Sequence, residues 1–369
     1  MINRTVLVVL GLVILIVVVY HVLADPREVN ETSKLIFNGE LKIDELPQID
    51  VDDGLYRSYN PSIATVDGKT LLVQRLSNYT GCMNEKPKIQ GSNVESFITL
   101  LYNNEVMHVQ TDVVASSNCP QGYEDARPML SPDGKTLLLF CAARGELDCL
   151  QSMWILFVAT SDLQGSKFDM SRQVTRTIKP HRTLRLTTPI STHRHEKNWM
   201  PLILNDQVHL IYSINPHIIL NCDMKSGVCE VVAKTYNPEL SDNLRGGSQV
   251  VFLPSQRSTK DMYVAAVHER RGFNSYLTRF YGFSPDWPHA VSHISDEFVF
   301  DDGEDEALSS IQFASGLHLS KDRKGRLEVN VAYGEHDCHS KLCTIGGDRF
   351  LESLQSVNQA NLIVTPRMK

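Results

Sequence analysis

Five times along this chain a polar and charged cluster opens a short apolar strand, a turn follows, and a second apolar strand runs into another polar cluster. The first unit runs from Tyr59-Asn60-Pro61-Ser62-Ile63 through a turn at Asp67-Gly68 to Leu71-Leu72-Val73 and Arg75. The second runs from Glu124-Asp125-Ala126-Arg127-Pro128 through Pro132-Asp133-Gly134 to Arg144, and the third from Glu196-Lys197-Asn198-Trp199-Met200-Pro201 through Asn205-Asp206 to Ser213 and His217. The fourth links Arg245-Gly246-Gly247-Ser248 to His268-Glu269, and the fifth links Ala314-Ser315-Gly316-Leu317, past Lys324-Gly325, to Tyr333-Gly334-Glu335-His336-Asp337.

Asp-Gly and Asn-Asp between apolar runs are hairpin signals, because these residues accept the positive φ of tight turns. In a hairpin, the residue before the first strand and the residue after the second lie at one end. Units spaced about 50 to 75 residues apart have the length of a propeller blade. The expected fold is therefore all-β, a five-bladed β-propeller, with the polar clusters converging on one face around one axis.

Thr5 to Leu23 is an uncharged stretch dominated by Val, Leu and Ile. At about 1.5 Å per helical residue it is long enough for a bilayer core of about 30 Å. Only Arg4 and the amino terminus precede it, so the expected order is a cytosolic N-terminus (1–4), a transmembrane signal anchor (5–23), a stem and lead-in (24–54) and the propeller (55–369). A cleaved signal peptide ending near Val22-Leu23-Ala24 is the alternative. Either places the rest in an oxidising lumen, and a type II anchor with a short stem suits a Golgi membrane protein.

All eight cysteines follow the apolar stretch, which suggests disulfides. Cys222/Cys229, Cys338/Cys343 and Cys141/Cys149 each bracket a short loop, and the first and second of these are the expected pairs. Asn30-Glu31-Thr32 and Asn78-Tyr79-Thr80 read as glycosylation sequons. The net charge of −7 comes without a basic stripe, so nucleic acid is not an expected partner. The acidic stretch Asp296 to Glu306 lacks EF-hand spacing, and no His or Cys spacing makes a convincing metal site, so neither metal nor cofactor is expected.

Converging the strand ends brings together the acids Glu124, Asp125, Glu196, Glu269, Glu335 and Asp337 and the cations Arg75, Arg127, Arg144, Lys197 and Arg245. His217 and His268 join them, with Asn60, Asn198, Tyr333, Tyr59 and Trp199 as amide or aromatic groups. Sugar hydroxyls take bidentate polar partners, ring faces take an aromatic platform, and glycosidic chemistry takes a positioned carboxyl acid or base.

Glu124-Asp125-Ala126-Arg127-Pro128 resembles the Glu-Asp-x-Arg segment of glycoside-hydrolase family 130, the five-bladed mannoside phosphorylases and hydrolases. Lys197-Asn198-Trp199-Met200 resembles that family's Lys-Asn segment, and Tyr333 to Asp337 its late Tyr-Gly-x-x-Asp. Gly246-Gly247-Ser248 and His268-Glu269 are closer to the related β-1,2-mannosyltransferases. The resemblance implies that Asp125 is the general acid acting through a substrate hydroxyl. It implies that Arg127 and Lys197 contact sugar or phosphate, and that Asp337 binds a sugar hydroxyl. Ala126 departs from the Pro usual in the first motif.

The expected function is a luminal carbohydrate-active enzyme, an inverting glycosyltransferase acting on a glycan, with a sugar donor or phosphate as co-substrate and the membrane reached through the anchor. The alternatives are a β-mannoside hydrolase or phosphorylase, and a glycan-binding propeller without chemistry. A sialidase is set aside, because Ser131-Pro132-Asp133-Gly134 matches only a fragment of the Asp-box.

Overall fold

The computed structural model describes residues 41–362 apart from 52–54, 80, 81, 83–93, 111–118, 146–148, 165–175, 192–194, 257–259, 272–274, 301–310, 359 and 360. The expected anchor at 5–23, and the sequon at Asn30, lie outside the described residues. Among the described residues no helix is long and apolar enough to cross a membrane.

The chain is built of successive antiparallel hairpins. After β1 (Lys42–Glu45) and β2 (Asp50–Val51), β3 (Tyr56–Val66), β4 (Lys69–Ser77), β5 (Glu95–Tyr102) and β6 (Glu105–Val109) form the first blade. Blade 2 contains β7 (Gln121–Leu130), β8 (Thr136–Arg144) and β9 (Gln151–Ala159). Next come β10 (Arg176–Ile178), which lies parallel to β6, and β11 (Arg182–Arg185), which completes blade 2. Blade 3 is β12 (Met200–Leu204), β13 (Gln207–Ser213), β14 (His217–Cys222) and β15 (Cys229–Tyr236). Blade 4 is β16 (Leu244–Gly246), β17 (Val251–Leu253), β18 (Met262–Arg271), β19 (Ser275–Phe283) and β20 (Val291–Ile294), with β16 and β17 both pairing β18. Blade 5 is β21 (Gln312–Lys321), β22 (Leu327–Glu335) and β23 (His339–Gly346), and β24 (Gln355–Ser356) and β25 (Asn361–Leu362) edge blades 4 and 3.

The missing outer strand of blade 5 is β1, which pairs antiparallel with β23 from Lys42↔Thr344 to Glu45↔Lys341. Residues 42–45, expected as lead-in, therefore belong to the sheet assembly. The turns follow the local chemistry. Asp67 and Gly68 (φ 48 and 72) and Asn205 and Asp206 (φ 51 and 57) adopt the two consecutive left-handed conformations that match hairpin twist. Gly122 (φ 88) is required by a different constraint, since a Cβ there would lie 1.8 Å from the Ser96 carbonyl oxygen, where β5 and β7 join blades 1 and 2.

Apolar residues on both sheet faces pack between consecutive blades. Val73, Ile98 and Leu100 meet Leu137, Leu139 and Cys141 between blades 1 and 2. Phe140 and Ile155 meet Leu210 and Leu220, Met200 and Ile219 meet Val267 and Tyr281, and Val264 and Phe280 meet Val329 and Cys343. Each such side chain contributes roughly 1.5–3 kcal/mol on leaving water. The junction of blade 5 with blade 1 carries polar fastenings. Gln249 Nε2 donates to the Ile63 and Leu317 carbonyls at 2.6 and 2.9 Å, Ser315 Oγ to Pro61 O at 2.7 Å, and Gln74 Nε2 to Ser340 Oγ at 2.9 Å.

Among the described residues the disulfides are Cys82–Cys338, Cys119–Cys149 and Cys222–Cys229. Cys222/Cys229 is as expected, but Cys338/Cys343 and Cys141/Cys149 are corrected. Cys141 and Cys343 are free and buried, because strand alternation turns each into an interblade apolar core. Asn78 is also not an available glycan acceptor: it is buried, and its Oδ1 accepts the Glu95 amide at 2.7 Å. Differential alkylation with peptide mapping should find those three pairs, with Cys141 and Cys343 labelled only after unfolding; native-state labelling of either thiol would contradict this packing.

Candidate functional site

The strand ends that carry the polar clusters are built on left-handed backbone. Asn60 (φ 48) sits in a bulge of β3 between Tyr59 and Ser62, and Asp125 (φ 49) in the equivalent bulge of β7 between Glu124 and Arg127. Asn198 (φ 62) precedes β12, and His336 and Asp337 (φ 55 and 50) follow β22. Asn and Asp tolerate this conformation better than other side chains with a Cβ. A bulge there re-aims the side chain out of the ladder.

The result is a carboxylate cluster bridged by one amide. Asn60 Nδ2 donates to Asp125 Oδ1 at 3.0 Å and to Asp337 Oδ1 at 3.2 Å. A Cβ on Gly334 would lie 1.9 Å from Asn60 Oδ1, so glycine at this position leaves room for the bridging amide. Arg75 reaches Asp125 at 3.6 Å and Glu124 at 3.5 Å, donates to Ser96 Oγ at 3.0 Å, and lies 5.2 Å over the Tyr59 ring. Glu124 also accepts Gln151 Nε2 at 2.7 Å and lies 3.9 Å from Arg144, whose Nη1 donates to the Cys149 carbonyl.

Burial opposes the charge on Arg75, yet Tyr59, Glu124, Asp125 and Asp337 outweigh it and raise the guanidinium pKa. Burial raises the Asp337 pKa; Arg75 pulls it back and the neighbouring Asp125 pushes it further up.

Cations occupy the other side. The His268 ring lies 4.8 Å from Tyr276 and 5.2 Å from Phe313, and its pKa falls to about 3 through burial and the positive charges of Arg127, Lys197 and Arg245. Its Nδ1 is buried without a hydrogen bond. Lys197 and Arg245 are exposed, Arg245 donating to the Asp242 and Leu244 carbonyls. Arg127 stands between the halves and is almost wholly buried. It donates to the Gly247 carbonyl, to the Asp125 carbonyl at 3.0 Å and to Asn198 Oδ1 at 3.2 Å. These hydrogen bonds tie blades 2, 3 and 4 together.

Asn60, Arg75, Glu124, Asp125, Arg127, Arg144, Lys197, Asn198, Arg245, His268 and Asp337 thus form one neighbourhood. Three expected members are corrected. His217 packs between blades 3 and 4, with its ring 4.9 Å from Phe283 and 5.9 Å from Tyr281. Glu269 is buried on the sheet face opposite His268 and accepts Ser241 Oγ at 2.9 Å. Tyr333 stacks on Phe300 at 4.1 Å in the core of blades 4 and 5. Trp199, expected as an aromatic platform, is also buried, donating to Glu196 at 3.1 Å.

Residues at the starts of third strands were missed. Ser96 and Gln151 orient Arg75 and Glu124, and Tyr276 is close enough for Asp337 and Asp125 to raise its pKa, behind burial as the main cause and against Arg270. Hairpin phase would have found them, since a third strand begins where the second ends. Among the described residues there is no group of three or more metal-ligating side chains suited to an ion.

No family model matches the chain. A 65-residue stretch is 38% identical to Beta-mannosyltransferase 2 of Komagataella phaffii, covering 16% of this chain and 10% of that protein. A 68-residue stretch is 38% identical to Beta-mannosyltransferase 7 of Candida albicans, again covering 16% and 10%. The matched part thus spans about a tenth of those relatives. Among solved structures the fold is similar to MPT-4, a mannose phosphorylase from Leishmania mexicana in complex with phosphate ion. The TM-score is 0.52 at 13% identity, over 91% of this chain and 97% of that one. A putative glycoside hydrolase from Parabacteroides distasonis gives a TM-score of 0.52 at 14% identity, over 78% and 86%. The fold is thus shared with a mannose phosphorylase and a putative glycoside hydrolase, and a short stretch of sequence with β-mannosyltransferases, in keeping with the expected resemblance.

Two substitutions test the electrostatics. Arg127→Ala strands the carbonyls of Asp125 and Gly247 and the Asn198 amide oxygen, and should cost about 3 kcal/mol or more in chemical denaturation. Asp337 has a raised pKa in the folded state, so the stability linked to its proton is full below the ordinary aspartate range and lost as pH rises through the raised value. Asp337→Asn should therefore raise the thermal midpoint at neutral pH, with the gain vanishing below about pH 4. An equal shift at both pH values would contradict the raised pKa.

Proposed function

We propose that this chain is a carbohydrate-active enzyme that transfers a mannosyl residue, with inversion, between a phosphate-bearing donor and a β-mannoside glycan. The observation that carries the reading is the adjacency of two halves: Asp125 and Asp337 sharing the Asn60 amide, and His268 facing Lys197 and Arg245 with an unpartnered Nδ1. Carboxylates and an amide suit a sugar ring, and a cluster of cations suits phosphate oxygens.

In the synthetic direction the acceptor hydroxyl gives its proton towards the Asp125 carboxylate. The acceptor oxygen attacks the anomeric carbon and phosphate leaves with the bonding pair. In the phosphorolytic direction protonated Asp125 returns that proton to the leaving oxygen while a phosphate oxygen attacks. In the mode implied by the resemblance, a substrate hydroxyl relays the proton. The partial identity with β-mannosyltransferases favours synthesis, and the fold shared with a phosphate-bound mannose phosphorylase favours phosphate as the common leaving or attacking group. We place the enzyme in a secretory-pathway lumen, consistent with its disulfides, with residues 5–23 as a single-pass type II Golgi anchor. A glycan-binding propeller lacking chemistry remains the competing class.

Asp125→Asn keeps shape and one acceptor but cannot cycle a proton, so turnover should fall roughly 10² to 10⁴-fold with glycan binding retained. The assay measures product from oligomannosides with mannose 1-phosphate, nucleotide-linked mannose, inorganic phosphate or water. A wild type that binds glycans yet forms no product in any arm would overturn the enzyme reading. Full activity in Asp125→Asn would move the proton transfer elsewhere.

A further inference from the structure

The turn that carries Asp337 is held by an unusual set of restraints. His336 and Asp337 are consecutive left-handed residues in the hairpin turn between β22 and β23. Within blade 5, His336 N donates to Ile311 O at 2.8 Å and Cys338 N to Glu335 O at 2.9 Å. The Glu335 carboxylate is pinned by Gln312 at 3.1 Å and Lys341 at 2.8 Å.

Two restraints come from blade 1. One is the Asn60 amide on Asp337 itself; the other is the disulfide from the next residue, Cys338, to Cys82, which follows β4. The Cα atoms of the pair are 5.1 Å apart, within the ordinary range for the bond. Arg57 of β3 brings Nη1 to 2.9 Å from the Cys82 sulfur and 3.5 Å from that of Cys338. Cys338 is 1% exposed whereas Cys82 is partly exposed, so Cys82 is the more accessible half of the bond. The Cys222–Cys229 bond lies at the far end of blade 3 and touches none of these groups.

We propose that the Cys82–Cys338 disulfide is a reducible positioning clamp that holds Asp337 against the Asn60 amide across the blade 5–blade 1 junction. The inference rests on the glycan-site reading of that carboxylate cluster. Opening the clamp takes two electrons from a dithiol. A thiolate attacks the Cys82 sulfur, the Cys338 sulfur leaves and takes a proton, and the second thiol of the reductant resolves the mixed disulfide. The products are two cysteine thiols and one oxidised dithiol. Among the described residues Asp337 then keeps the Asn60 hydrogen bond and the attraction of Arg75 as its links to blade 1, and the site loses the covalent restraint on its blade 5 carboxylate. Cys82 and Cys338 are positioning residues in this scheme, acting through Asp337.

The test uses the intact protein, reduced in steps with dithiothreitol and mapped by differential alkylation, beside Cys82→Ser/Cys338→Ser and a Cys222→Ser/Cys229→Ser control. As the Cys82–Cys338 bond opens, hydrogen exchange at residues 336–338 should rise while blades 2 to 4 keep their protection. KM for the glycan should increase about tenfold with kcat within about threefold, the signature of lost binding rather than lost proton transfer. The control should move neither quantity. Unchanged exchange and unchanged KM with the bond demonstrably open would overturn the clamp, and so would loss of protection across every blade. If the double variant does not fold, the stepwise reduction of wild type decides. A wild type without activity would end the enzymatic reading while leaving the exchange measurement to decide the clamp.

Discussion

Arg127 is the interaction on which the geometry of the site depends. It leaves blade 2 and ends on the Gly247 carbonyl of blade 4 and the Asn198 amide of blade 3, while another of its nitrogens returns to the Asp125 carbonyl. Burial lowers its pKa to about 10, opposed by the charge of Asp125, so the guanidinium stays protonated near neutrality. A buried cation with its donors satisfied is costly to disturb, because removing either side leaves polar groups stranded out of water. One side chain therefore sets the spacing of three blades and fixes the backbone of the proposed proton-transfer residue. Lysine could not replace it, having no planar fork to reach several acceptors in fixed directions.

The carboxylate side follows a complementary rule. Asn60 holds Asp125 and Asp337 on one amide, and Arg75 supplies positive charge from behind. Two acids held this close are easier to keep in different protonation states than alike. Burial is the main cause of the raised Asp337 pKa, and the charge of Asp125 adds to it against Arg75. On the opposite side His268, surrounded by cations, stays neutral and can meet an anion without adding charge. The site is thus divided into a carboxylate–amide side and a cationic side, with Arg127 between them.

Much of this was legible in the sequence, for a definite reason. Where a strand end must adopt a left-handed conformation, Asn or Asp is preferred, so Asn60, Asp125, Asn198 and Asp337 marked both the backbone geometry and the site. The hairpin turns at Asp67-Gly68 and Asn205-Asp206 were readable on the same ground. What could not be read was the face of the sheet. Blade strands are covered on both sides, so polar–apolar alternation is lost; Tyr333, Trp199 and His217 entered interblade cores and Glu269 the buried sheet face opposite His268, although they stand at the expected strand ends. The pairing of Cys338 was hidden because its partner lies 256 residues away, across the junction that closes the ring.

Closure of that ring by β1 has a consequence for how the protein is made. Lys42 to Glu45 leave the ribosome before any blade exists, yet their partners, Lys341 to Thr344, are the last blade's outermost hydrogen-bonding groups. Blades 1 to 4 can form their central hairpins as they emerge, blades 3 and 4 gaining β25 and β24 at their edges last, whereas blade 5 takes its outer strand from a segment about 300 residues upstream. Until then β23 presents a bare edge and the closing seam is exposed, the kind of surface through which incomplete β-proteins associate with one another. The longer that edge stays uncovered, the more opportunity such association has before the ring is closed.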